Sequence, residues 1–215
     1  MDLSPREARG LVGRSAATIS IRDQILLAAL ECFLEKGYQG TSVRDIANRT
    51  ELSVPGLYHH FESKMAMLEE LMNETMDDLL SDVREGFELA RPDPVNRFEA
   101  VVESHVRFHC ERREESFLGN SELRSLPADS RARLIEKRRE VQRHFEISVE
   151  DGIEAEIFRV EWPHEAARAL ASMCVAVASW YRPDGELSPN DVVAIYRDLG
   201  LQMVGFRALT GPSPG

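Results

Sequence analysis

The chain predicts an all-α fold of about nine helices. Apolar residues recur at intervals of three and four through most of its 215 residues. The recurring runs are bracketed by residues that start and stop helices, and no run alternates long enough to make a strand.

The first 19 residues carry Arg6, Arg9 and Arg14 among Gly, Ser and Ala without a helical period. They read as a disordered N-terminal arm, or as a basic arm that touches nucleic acid beside a main site. Ser20 followed by Asp23 is a capping-box pair, Ile21, Ile25, Ala28, Ala29, Cys32 and Phe33 follow at helical spacing, and Gly37 supplies the stop. Thr41 or Ser42 caps a second helix to about Thr50, with Val43, Ile46 and Ala47 inward. Ser53 caps a third, whose first turn tolerates Pro55 because an N–H there has no partner to lose. Ser63 opens a longer fourth helix with Met65, Leu68, Leu71, Met72 and Leu79 on one side.

Arg91-Pro92-Asp93-Pro94 is a break. Five more helices follow near 95–112, 115–125, 128–155, 163–181 and 188–208, jointed at Pro127, at Gly152 with Trp162-Pro163, and at Pro183-Asp184-Gly185. Ser188-Pro189-Asn190-Asp191 starts the last with a cap, a first-turn proline and an acid near the positive helix end.

The net charge of −11 argues at first against a polyanionic partner. It is unevenly distributed. Residues 1–64 hold eight Lys/Arg and eight Asp/Glu, leaving 18 basic and 29 acidic residues to the remainder. A neutral head can approach phosphate through a few placed cations and backbone N–H groups, while the acidic part stays away. No apolar run reaches the roughly 18 residues a bilayer span needs. No secretory leader is visible, so a cytoplasmic location is expected. Cys32, Cys110 and Cys174 lack metal spacing and read as small buried residues in a reducing compartment.

Residues 21–71 hold two short helical patterns about a tight turn, with polar groups outward on the second, which is a helix-turn-helix. The alternative is a surface helical hairpin with ordinary caps. A recognition helix needs small or polar side chains at its start and apolar anchors behind. Leu52, Leu57 and Phe61 serve as anchors, which leaves Ser53, Val54, Gly56, Tyr58, His59 and His60 outward. Gly56 permits close backbone approach; Tyr58, His60 and Lys64 suit phosphates. The second helix adds the Thr41 and Ser42 hydroxyls, its open N–H groups and Arg44.

These residues resemble the TetR family of bacterial repressors over about residues 20–70, with Leu57-Tyr58, Phe61 and Lys64 fitting the pattern at the end of the recognition helix. The resemblance implies a DNA-binding domain over residues 20–66 and a ligand-binding and dimerisation domain over residues 67–210. It implies a homodimer on double-stranded operator DNA, with Tyr58, His60 and Lys64 at phosphate and Val54, Pro55 and Gly56 nearest the bases.

The segment Ser179 to Pro189, with Trp180-Tyr181-Arg182-Pro183-Asp184-Gly185 inside it, is similar to a motif in a TetR subset that responds to acyl-CoA thioesters, including regulators of fatty-acid and steroid-ring catabolism. The last two helices are rich in small and apolar residues, which suits an intersubunit four-helix bundle. Trp180 can point inward, as a core or interface aromatic or as a wall of a ligand cavity. His105 and His109, at i and i+4 beside Cys110, could hold zinc but lack an obvious third ligand, and read as satisfied or pocket-lining histidines. His105, His109, Phe145 and Trp180 are the expected ligand-binding residues. Glu161-Trp162-Pro163-His164 fits half of a di-iron pattern that is not repeated. The cations from Arg131 to Arg143 read as a solvated helix face, or as a site for a CoA phosphate. Neither metal nor cofactor is expected.

The reading that follows is a repressor released from a palindromic operator by a small hydrophobic effector, an acyl-CoA thioester or a free compound such as an aromatic acid or drug. A DNA-binding scaffold without ligand and a helical-bundle enzyme are the competitors. For the enzyme there is no Ser/His/Asp set, phosphate-binding glycine loop or repeated metal motif. Two recognition helices roughly 34–36 Å apart would enter successive major grooves, and a ligand that moves the fourth helix would spoil that span.

Overall fold

The computed structural model describes residues 20–206, and among these it contains nine α-helices, one 3-10 turn and no strand. The helices are α1 (Ile21–Gly40), α2 (Val43–Thr50), α3 (Val54–Tyr58), α4 (Lys64–Leu89), α5 (Pro94–Glu111), α6 (Arg113–Ser121), α7 (Ala128–Glu154), α8 (Pro163–Trp180) and α9 (Pro189–Met203). The 3-10 turn spans Leu123–Ser125. The expected N-terminal arm lies outside the described residues.

Local capping places most of these ends. Ser20 with Asp23, Ser42 with Asp45 and Ser188 with Asp191 each form a reciprocal capping box. The Ser63 hydroxyl accepts from the Ala66 N–H at the start of α4. Gly37 interrupts α1 with a φ of 72°, a conformation that glycine reaches without a Cβ penalty. Two ends differ from expectation. α6 stops at Ser121 and finishes through the 3-10 turn. α9 stops at Met203 rather than near residue 208, because Gly205 turns to a φ of 65° and the Val204 carbonyl accepts from the Arg159 N–H at 2.9 Å. The inward face of α4 also differs. Met67 is fully buried and Met65 is only half-buried, beside Leu68, Leu71 and Met72.

The described residues fall into two compact units. The first runs through Asp78 and includes Arg112–Lys137; the second holds Leu79–Glu111 and continues from Arg138. α4 passes uninterrupted through residue 66, so the helix does not break at the expected division after that residue.

In the first unit α1 packs against α2 and α6. Its core is Ile25, Leu26, Leu30, Phe33, Ile46, Leu57, Met67 and Leu68, each at most 2% exposed. A fully buried side chain of this size contributes about 1.5–3 kcal/mol of transfer free energy. In the second unit α5 packs against α8 and α9. Phe98 is fully buried and meets the Phe158 ring edge-on at 5.2 Å. Gly200 lets α9 approach, since a Cβ there would meet Phe98 and Leu170 at 3.1–3.2 Å. Cys32, Cys110 and Cys174 are buried and unbridged. Burial raises the Cys110 thiol to about 12, which makes it a packing residue and not a nucleophile.

Candidate DNA-binding surface and effector core

The start of α2 is pre-arranged. Ser42 Oγ accepts from the Asp45 N–H at 3.1 Å, and Asp45 Oδ2 accepts from the Ser42 N–H at 2.8 Å. Lys36 Nζ donates to the same carboxylate at 2.6 Å. That bond, then those from Ser42, holds Asp45 well below the usual carboxylate range. The Val43 and Arg44 N–H groups precede the first intrahelical bond and point along the positive end of the helix, and the Arg44 side chain is exposed beside them.

α3 presents the expected set. The Ser53 hydroxyl accepts from the Gly56 N–H at 3.1 Å, Leu57 and Phe61 are buried as anchors, and Leu52 is half-buried. Ser53, Pro55, Tyr58 and His59 are exposed; Val54, Gly56 and His60 are half-exposed. A Cβ on Gly56 would press on Ser53 Oγ at 3.2 Å, so glycine protects the cap as well as keeping the surface low.

Two residues expected to face phosphate have other partners. The Thr41 side chain is a correction: it is 2% exposed, and its hydroxyl donates to the Cys32 and Gly37 carbonyls, both at 2.9 Å. The hydroxyl proton is shared between those two carbonyls, which turns it away from the surface. Lys64 Nζ donates to the Tyr38 and Thr41 carbonyls, both at 2.6 Å, and lies 4.2 Å from the Tyr38 ring centre. Burial lowers its pKa. Its ammonium joins the start of α4 to the end of α1.

Among the long-range ties that sequence reasoning missed in this unit, two lie on α1. Glu122 Oε1 accepts from the Tyr38 N–H at 3.2 Å, beside the interruption at Gly37. Arg22 lies in the first turn of α1 and reaches Glu70 on α4. Its sequence signal was faint: a cation one residue before Asp23, near the positive end of a helix where it is electrostatically misplaced.

In the second unit the structure brings His105, His109 and Phe145 together. All three are at most 3% exposed. The His105 ring lies 4.6 Å from His109 and 5.2 Å from Phe145, both edge-on. His109 Nδ1 pairs with the His105 carbonyl at 2.8 Å, which makes that nitrogen the protonated one and leaves Nε2 an acceptor. His105 Nδ1 is buried with no hydrogen-bond partner among the described residues. Desolvation keeps both imidazoles neutral; proximity to the His109 ring adds to this at His105, and at His109 the hydrogen bond to the His105 carbonyl opposes it while the Arg138 charge adds to it, leaving His109 lowered to about 4.

Trp180 does not join them, which corrects its expected inward orientation. It is 43% exposed at the last residue of α8 and stacks on Tyr196 at 6.3 Å. The exposed side chains Ala176, Ile195, Leu199 and Met203 lie on α8 and α9.

Residues 25–71 match the family described as bacterial regulatory proteins, tetR family, and residues 91–204 match the tetracyclin repressor-like C-terminal domain. The HTH-type transcriptional repressor KstR2 of Rhodococcus jostii (strain RHA1) is 28% identical over 201 residues, covering 93% of this chain and 96% of its own. A bacterial regulatory protein in the tetR family from Rhodococcus RHA1 superposes with a TM-score of 0.81 at 28% identity, covering 89% of this chain and 100% of that one. AibR, solved in complex with isovaleryl coenzyme A and operator DNA, shares the fold with a TM-score of 0.76 at 22% identity over 87% of this chain and 100% of its own.

Proposed function

The chain belongs to the TetR family of bacterial regulatory proteins, and from that footing we propose that it is a cytoplasmic, homodimeric repressor released from a palindromic operator by a small hydrophobic effector. The observation that carries the DNA half is the α2–α3 surface, where open N–H groups, Arg44, Tyr58, His59 and His60 lie on one capped pair of helices. Arg44, the α2 N–H groups, Ser42, Tyr58 and His60 take phosphate; Ser53, Val54, Pro55, Gly56 and His59 lie toward the bases. Lys64 contributes by fixing the α1–α4 junction.

For the effector we propose an acyl-CoA thioester. Unit two buries a pair of neutral imidazoles and a phenyl ring, hydrogen-bonding and apolar groups, with Arg138 the charged neighbour of His109. A thioester carbonyl and its acyl chain suit that chemistry. The complex of AibR with isovaleryl coenzyme A and operator DNA supports the same class. Release of a bound operator by matched acyl-CoA thioesters, the corresponding free acids and CoA alone tests it. Thioesters should dissolve the complex and free acids leave it intact. The opposite result makes the effector a free compound and leaves the repressor reading standing.

The dimer is assigned to α8 and α9, because Ile195, Leu199, Met203 and Trp180 are each 37–44% exposed there. Apolar side chains in that number on two adjacent helices suit an isologous bundle. Leu199→Asp should halve the mass seen by light scattering at micromolar concentration while the helical circular dichroism stays, since Leu199 is exposed within one chain. A monomeric wild type would sink the assignment.

A further inference from the structure

Arg22 makes a set of contacts that none of the DNA-facing residues makes. Its Nε donates to Glu70 Oε1 at 2.7 Å, and its Nη2 pairs with Glu70 Oε2. Its Nη1 donates to the His60 carbonyl at 2.5 Å. Its guanidinium lies 4.1 Å from the centre of the Phe61 ring. One side chain at the start of α1 thus touches α4 through Glu70 and the two residues through which the chain leaves the recognition helix.

The need for such a tie follows from the shortness of α3. It is five residues long, and its end is a pair of turns in which His60 and Phe61 donate back to Leu57. A helix of this length fixes its own direction poorly. Leu57 and Phe61 hold its depth, because they are buried, but buried apolar contacts are not directional. The His60 carbonyl lies past the last intrahelical bond and needs a donor. Arg22 supplies it, with a planar fork whose other edge is fixed by two bonds to a carboxylate. The placement also accounts for a cation in the first turn of α1, where the helix dipole disfavours it.

We infer that Arg22 is a positioning residue for sequence readout: it sets the direction in which the chain leaves the recognition helix, α3, and so aligns Val54–His60 with the base edges. Phosphate contacts form over a range of angles, whereas hydrogen bonds and apolar contacts to base edges do not. Loss of the tie therefore reduces discrimination more than affinity. The inference rests on α3 being the recognition helix.

The test uses the full chain. Wild-type protein selects a duplex from a random-core pool, and fluorescence anisotropy gives its affinity for the selected duplex and for a scrambled one. Arg22→Met keeps the length of the side chain and its packing on Phe61 but removes every donor. It should lower the selected-to-scrambled ratio about tenfold, the scale of one lost base readout. Arg22→Lys, which keeps a charged donor but loses the fork, should recover the ratio in part, to a value between those of Arg22→Met and wild type. Leu30→Val, a core change in α1 away from the tie, lowers the melting temperature and should leave the ratio alone. An unchanged ratio in Arg22→Met, no recovery in Arg22→Lys, or an equal fall in Leu30→Val overturns the inference. If wild-type protein selects no duplex, the recognition-helix reading fails, and the inference fails with it.

Discussion

Replacement of Arg112 by leucine is expected to cost about 3–5 kcal/mol, the penalty for leaving a buried carboxylate without its partner. Arg112 is the residue before α6, with its side chain 11% exposed. Its Nε donates to Glu115 Oε1 at 2.8 Å, and its Nη1 donates to Asp78 Oδ2 at 2.9 Å on α4. The Glu115 side chain is 2% exposed, so water cannot replace the lost donor. Asp78 is less buried at 31%, and its share of the loss is smaller. The urea midpoint of the helical signal reads the effect. Arg112→Leu/Glu115→Leu should recover most of the loss, because removing both charges leaves an apolar contact in place of an unpaired ion. A single-variant loss under about 1 kcal/mol, the range of exposed ion pairs, would show that the pair is hydrated in solution.

That pair was invisible in the sequence, and the reason applies to most of what was missed. Features encoded over three or four residues were legible. Ser20 with Asp23, Ser53 before Pro55 and Ser188 with Asp191 cap where expected, and of the two candidates for α2 it is Ser42 that caps, because a cap is satisfied by its own helix. Features set by distant partners were not legible. The Thr41 hydroxyl suited phosphate by type, but it is turned inward to the Cys32 and Gly37 carbonyls. Lys64 fitted a pattern for the DNA face, yet Tyr38 and Thr41, more than twenty residues earlier, hold its ammonium. Apolar spacing alone did not separate Met65 from Met67, since a helix packed on several neighbours is buried over a wide arc. The family of the DNA head was readable for the same reason the caps were: its signature is a local run from Leu57 to Lys64. Of the ligand-side residues, His105 and His109 could be paired by their spacing of four; only the fold places Phe145 against them and leaves Trp180 outside.

Stability of the second unit should fall as the pH drops below about 6.5, and His109 alone accounts for about 3 kcal/mol of that fall by pH 4. The cause is burial. Desolvation disfavours the charged ring, and the nearby Arg138 charge adds to this, while the hydrogen bond to the His105 carbonyl opposes it. The net effect lowers the folded pKa to about 4 from an unfolded value near 6.5. Above pH 6.5 both states are neutral, and the histidine adds no pH dependence. Between 6.5 and 4 the unfolded chain takes up a proton that the folded one refuses, so stability declines as pH falls. Below 4 the folded ring protonates as well, and its contribution levels off. His105 is displaced in the same direction by burial and then by His109, so it extends the decline. The same neutrality at pH 7 bears on the effector, because His105 keeps an N–H that can donate to a carbonyl, while neither uncharged ring can neutralise a carboxylate. Urea unfolding of wild type and His109→Gln across pH 7 to 4 isolates the contribution, since carboxylate titration is common to both. The amide introduced by His109→Gln can still donate to the His105 carbonyl and does not titrate. The gap between the two stability curves should therefore change by about 3 kcal/mol across this range, with wild type losing stability as the pH falls relative to the variant. Parallel curves would mean that His109 binds a proton equally well in both states. The ring would then have to be hydrated in solution, and the proposed fit of a neutral thioester carbonyl to this pair would lose its basis.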